Sequence, residues 1–139
     1  MTHPLILPML IQLSIPVIIL FILAPRRVGA VKKAGGVKGL RKAGGFTPSI
    51  NNMGDNLKNQ FEMPVVFYAL SLLFIFAGDA AQSVVIAAWI FVVFRILHAI
   101  VQCTNNVIFP TRFLLFLISS LALTFMLVMA FIQALGGAG

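Results

Sequence analysis

Four long apolar stretches, at about 5–24, 63–77, 80–103 and 113–135, follow one another with only short polar or basic connections between them. Crossing a hydrocarbon layer about 30 Å thick takes roughly 20 apolar residues of helix. Inside that layer a chain must satisfy its own backbone hydrogen bonds, which leaves helices or a closed barrel, and runs this continuous in apolarity lack the strict alternation of a barrel strand. The pattern predicts an all-α membrane protein: a four-transmembrane-helix bundle forming a single domain over 1–139, with helices at about 5–24, 55–78, 80–103 and 111–135 and a basic loop at 25–54. A composition 60% hydrophobic and 9% charged excludes an ordinary soluble domain.

Charge settles the expected orientation. Seven of the ten Lys and Arg crowd between positions 26 and 42, directly after the first run: Arg26, Arg27, Lys32, Lys33, Lys38, Arg41 and Lys42. The termini and the turn at Gly78 and Asp79 hold none. Basic loops stay on the cytoplasmic side, so loops 25–54 and 104–110 are expected in the cytoplasm and both termini in the periplasm, with the bacterial inner membrane as the setting. The first run has neither a basic segment ahead of it nor a small-residue cleavage site behind it, and is read as a retained helix. The net charge of +7 does not point to nucleic acid, because thirteen phenylalanines show no stacking motif among the basic residues. The basic loop is first a topology signal, with anionic lipid headgroups as secondary partners. Cys103 is the lone cysteine and has no Cys or His at metal-ligand spacing, so no metal site is expected.

Punctuation along the chain gives finer expectations. Pro8 and Pro16 should kink the first helix and Pro25 should end it. KKAGG at 32–36 is echoed by RKAGG at 41–45, and so much glycine predicts a lightly structured loop. Asp55 is a candidate N-cap for the second helix, with Pro64 bending it beyond its first turn. Asn105 and Asn106 suit a turn, and the glycine-rich tail should fray.

Set aside the apolar residues, and the remaining polar ones gather at one membrane face. Arg26 and Arg27 end helix one, Asn59 and Glu62 open helix two, Arg95, His98 and Gln102 occupy the last turns of helix three, and Arg112 opens helix four. Spacings of three and four put Asn59 with Glu62, and Arg95 with His98 and Gln102, on shared helix faces. A charge turned to lipid costs roughly 2.5–3.5 kcal/mol on insertion scales, so Glu62 and Arg95 should face protein or a wet cavity, with Glu62 the natural partner of Arg95 or Arg112. Such groups can also do no more than lock helices in register. His98 is either a proton carrier or a packing histidine bonded to a carbonyl.

The motif N-Q-F-E-M-P at 59–64, R-I-L-H at 95–98 and an arginine at 112 heading the fourth helix together resemble the MAPEG family, membrane-associated proteins in eicosanoid and glutathione metabolism. The likeness covers the whole chain. It implies a homotrimer with glutathione held between neighbouring subunits at the cytoplasmic side. Carried over by position, Asn59 and Glu62 would hold the glutathione backbone, Arg95 and His98 would line the pocket, Arg26 or Arg27 would meet a carboxylate, and Arg112 would stabilise the thiolate as the catalytic residue. The chain departs from the family pattern at Asp55 and Lys58, where catalytic members carry arginine, at Gln102 in place of a tyrosine, and at Phe113 and Phe116 in place of hydroxyl residues. Those departures imply a site with fewer cationic and phenolic contacts.

Two functions follow from different classes. One is a glutathione-dependent transferase or peroxidase acting on lipophilic electrophiles that arrive from the bilayer. The other is a non-catalytic trimer that binds lipid, a hydrophobic ligand or a partner protein, with Glu62 and Arg95 as staples.

Overall fold

The computed structural model describes residues 3–104 and 108–136, the side chains of 108 and 109 excepted. The expected turn at Asn105 and Asn106 and the last three residues of the tail lie outside the described residues. Six helices follow in chain order: α1 Ile6–Lys33, α2 Val37–Lys42, α3 Pro48–Asn59, α4 Met63–Ala77, α5 Gln82–Thr104 and α6 Phe113–Gly136, with a π-helical turn Ile108–Arg112 leading into α6. Four segments are long and apolar enough to cross a membrane: α1, α3 and α4 taken together (Pro48–Ala77), α5, and Pro110–Gly136. The chain is a four-transmembrane-helix bundle.

The central helix is α5, which packs against α1, α3 and α6. Its Val84, Ala87, Ala88, Phe91 and Val92 meet Phe67, Leu70 and Phe74 of α4 and Ala122, Leu123 and Met126 of α6 in one buried cluster. Lipid tails are as apolar as these side chains, so close packing rather than hydrophobic expulsion must hold the helices, and the small residues Ala87, Ala88 and Ala122 suit that approach. Phe67 stacks on Phe91 with ring centroids 4.6 Å apart.

Three expectations about helix limits are corrected. Pro25 does not end α1, which passes through both Pro16 and Pro25 to Lys33. An interior proline removes one hydrogen bond and costs about 3 kcal/mol, whereas unwinding a segment at the membrane boundary would free several backbone groups at once. The stop comes instead at the glycine pair: Gly36 N–H donates to the Val31 carbonyl at 2.9 Å and Gly35 N–H to that of Lys32 at 3.1 Å, with φ of +72° at Gly35. The same closure ends α2, where Gly45 N–H reaches the Leu40 carbonyl at 2.9 Å and Gly44 N–H that of Arg41 at 3.1 Å. The repeated KKAGG and RKAGG are therefore two copies of one helix-ending device, a left-handed glycine with basic residues on the last carbonyls. The basic segment is helical, not a lightly structured loop.

The second crossing also differs. It begins at Pro48, in the first turn after Thr47, and Asp55 lies inside α3. There Asp55 pairs with Lys58 at 3.7 Å on the surface. Pro64 does not bend a continuous helix: α3 ends at Asn59, Gln60 to Glu62 turn, and Pro64 sits in the first turn of α4. Proline is well placed there, since a first-turn N–H has no intrahelical partner to lose.

Below the break, amides tie three helices together. Gln12 of α1 donates to Gln60 Oε1 at 3.0 Å, Gln60 donates to Asn56 Oδ1 at 3.1 Å, and Asn56 donates to Gln102 Oε1 of α5 at 2.8 Å. Asn59 adds a second donor to the same Gln102 oxygen at 3.1 Å. All but Asn59 are buried, with Gln12 and Asn56 fully enclosed. Replacing Gln60 with leucine strands Gln12 Nε2 and Asn56 Oδ1, and buried groups left without partners cost about 1–3 kcal/mol each. The Gln60→Leu protein should unfold at a clearly lower temperature in detergent than wild type, while Leu at the exposed Phe61 should leave the melting curve in place.

Candidate functional site

Pro64 creates the site. In an unbroken helix its N–H would answer the Gln60 carbonyl, but proline has no N–H and its ring would strike that carbonyl. The chain escapes at Glu62, whose φ of −104° and ψ of −103° leave helical geometry. With the ladder interrupted, the Asn59 carbonyl loses the Met63 N–H as its helical partner. Arg95 of α5 takes it instead, donating from Nη2 at 3.0 Å. A guanidinium 1% exposed is thus held at its tip by a backbone oxygen that the proline set loose.

A cleft of about 470 Å³ opens beside this contact, lined by Asn59, Glu62, Arg95, His98 and Arg112, with Met63, Phe113 and Phe116 as apolar walls. The π-helical turn delivers Arg112, whose Nε–H donates to His98 Nε2 at 3.4 Å. Because guanidinium nitrogens only donate, His98 Nε2 must present its lone pair, and the proton of the neutral ring then sits on Nδ1. His98 Nδ1 and Arg95 Nε are both buried and have no hydrogen-bond partner among the described residues. Unanswered buried donors beside a cavity are the polar groups an acceptor-rich or anionic ligand would satisfy. The cleft therefore combines cationic and donor groups with one carboxylate and an aromatic wall.

Five of the seven candidate residues read from sequence meet in this cleft, though two details differ from expectation. Asn59 and Glu62 do not share a helix face, because the helix breaks between them; the turn brings both to the cleft by another route. Glu62 is exposed and near enough to act on Arg95 electrostatically, but the hydrogen bond of Arg95 goes to the Asn59 carbonyl. Arg26 and Arg27 stand apart. Arg26 donates from Nη1 to Met53 Sδ at 3.2 Å, and the Arg27 guanidinium lies 5.5 Å from the centre of the Phe46 ring, seated over Gly54, where any side chain would collide with it. Gln102, on the predicted stripe, serves the amide chain rather than the cleft. Sequence reasoning missed Gln12, Asn56 and Gln60 as members of a network. The signal was present in the spacing of Asn56 and Gln60, four apart on one helix face, but only the fold pairs that face with Gln12 and Gln102.

Restoring a helix-compatible residue tests the origin of the site. Pro64→Ala should let the ladder close across 60–63, so backbone hydrogen exchange there should slow several-fold as Asn59 regains an N–H partner. Unchanged exchange would show that the break has a cause other than the proline.

Comparison with known proteins gives one family match: the model of the MAPEG family covers residues 5–132, nearly the whole chain. Comparison with curated proteins and with solved structures finds no match.

Proposed function

The chain belongs to the MAPEG family, and from that premise we propose that this integral membrane protein binds a glutathione-like thiol in the cleft of Asn59, Glu62, Arg95, His98 and Arg112 and adds it to a lipophilic electrophile. The observation that carries the reading is the joining of unlike charges in one sheltered place: a carboxylate at one lip, two arginines, and two buried donors without partners. A peptide thiol is itself zwitterionic, so a site for it needs both signs. Glu62 suits the ammonium group, Asn59 a peptide group, and Arg95 and His98 Nδ1 a carboxylate. Arg112 would stabilise the thiolate, because a guanidinium beside a thiol favours the anion, which is the nucleophile. Phe113 and Phe116 form the apolar side by which a bilayer-borne electrophile would approach. The homotrimer is part of this proposal, as is an orientation with the cleft and the basic segment toward the cytoplasm of a bacterial inner membrane.

The non-catalytic alternative draws on Gln102. The family's phenol position holds an amide here, and both donors on its oxygen are structural. On that reading the trimer binds lipid, a hydrophobic ligand or a partner protein, and the polar residues hold helices together.

Equilibrium binding of glutathione to the purified protein separates the two. Charge-assisted hydrogen bonds contribute about 1.5–3 kcal/mol each, so Arg112→Ala and Glu62→Gln should each weaken saturable binding by at least about tenfold and lower any conjugation rate in step. Absence of saturable binding in wild type, with the same substitutions lowering only the unfolding temperature, would decide for the non-catalytic trimer.

A further inference from the structure

A second cavity of about 380 Å³ lies on a different face of α5 from the cleft. Its wall on α1 is a stripe at helical spacing, with Ile11, Ile15, Ile18 and Ile22 as its line, and Ala99, Ile100 and Cys103 of α5 close the other side. The eleven steps of helix from Ile11 to Ile22 rise about 17 Å. One leaflet of hydrocarbon is about 15 Å deep, half of the roughly 30 Å core. The groove therefore has the length of a single acyl chain, and an apolar slot of this shape inside a membrane is not left to water.

What stands at its end selects the lipid. Arg26 follows Ile22 by four residues, one turn further along the same face of α1, and it is anchored by the Nη1 contact to Met53 Sδ, a residue that also lines the groove. Sulfur is a weak acceptor, and Arg26 is exposed. Behind it α1 and α2 carry Arg27, Lys32, Lys33, Lys38, Arg41 and Lys42, and the stretch 26–42 has no acidic residue. The acids nearest in sequence are Asp55, engaged by Lys58 on the surface, and Glu62 at the cleft. A slot for one acyl chain thus ends one helical turn short of a guanidinium that no acidic side chain accompanies in the stretch 26–42.

We propose that this groove is a binding site for an anionic phospholipid, with one acyl chain along the isoleucines of α1 and the headgroup phosphate on Arg26. The inference uses a different cavity from the thiol reading, and it gives Arg26 a phosphate in place of the glutathione carboxylate that the family resemblance implies for Arg26 or Arg27. It also gives the helical order of the basic segment a purpose. The glycine stop at 35–36 turns the chain from α1 into α2, which contacts α1 and carries Lys38, Arg41 and Lys42.

The test is native mass spectrometry of the full-length protein, released from nanodiscs containing equal amounts of phosphatidylglycerol and phosphatidylcholine. One basic residue near the headgroup favours an anionic lipid by about fivefold. Wild type should retain phosphatidylglycerol over phosphatidylcholine by at least that factor, Arg26→Ala should bring the ratio toward one, Arg26→Lys should keep most of it, and Ile18→Trp should reduce retention of both lipids by filling the slot. Should the alanine variant fail to purify, the wild-type unfolding temperature decides, rising with added phosphatidylglycerol and not with phosphatidylcholine. Equal retention of the two lipids, or a ratio indifferent to Arg26→Ala, overturns the proposal. So does disulfide formation between Ile18→Cys chains, which would place a second copy of the protein in the groove.

Discussion

An apolar surrounding gives no hydrogen bonds, and that one constraint accounts for most of this structure. A polar group carried into the bundle is costly unless it is answered from within it. Pro64 withdraws one backbone donor and opens the ladder at Gln60 to Glu62, and the Asn59 carbonyl so released becomes the acceptor for Arg95. The exchange is reciprocal. Arg95 would be costly facing lipid, and the carbonyl would be costly alone; together each removes the other's penalty. Around them the side-chain amides of Gln12, Gln60, Asn56 and Gln102 pass hydrogen bonds from α1 through α3 to α5, fixing the height at which the helices meet.

Much of this was legible in the chain. The number of crossings, their order and the gathering of Asn59, Glu62, Arg95, His98 and Arg112 follow from apolar run length and the alternation of direction, because polar residues at the ends of successive runs must return to the same face. What could not be read is which polar group answers which. The pairing of Glu62 with Arg95 or Arg112 is a sound inference from charge alone, but it overlooks the Asn59 carbonyl, which takes the Arg95 hydrogen bond. Pro64 in a helical pattern reads equally as a bend or as a start, and the choice rests on whether tertiary partners exist for the groups a break exposes. The basic segment misled for a related reason: glycine content suggests disorder, whereas the left-handed φ at Gly35 and Gly44 serves two helix ends.

The chain belongs to the MAPEG family, and its cleft gathers Asn59, Glu62, Arg95, His98 and Arg112 in one place. Its arginines are partly engaged, Arg95 by the Asn59 carbonyl and Arg112 by His98, and a phenol position holds the structural Gln102. The polar cleft and the apolar groove lie on separate faces of α5. One face carries Arg95 and His98 to the cleft; another carries Ala99, Ile100 and Cys103 to the apolar groove. A central helix buried on several sides can serve both because its register is held by the amides at its lower turns.

The most direct measurement is an experimental density map of the protein in lipid nanodiscs, without added ligand, at a resolution that places side chains. The account predicts an interruption at Gln60 to Glu62, the Arg95 guanidinium on the Asn59 oxygen, and Glu62, His98 and Arg112 around a common space. A second crossing that runs unbroken through residues 59–64, with Arg95 turned out to acyl chains, would contradict it.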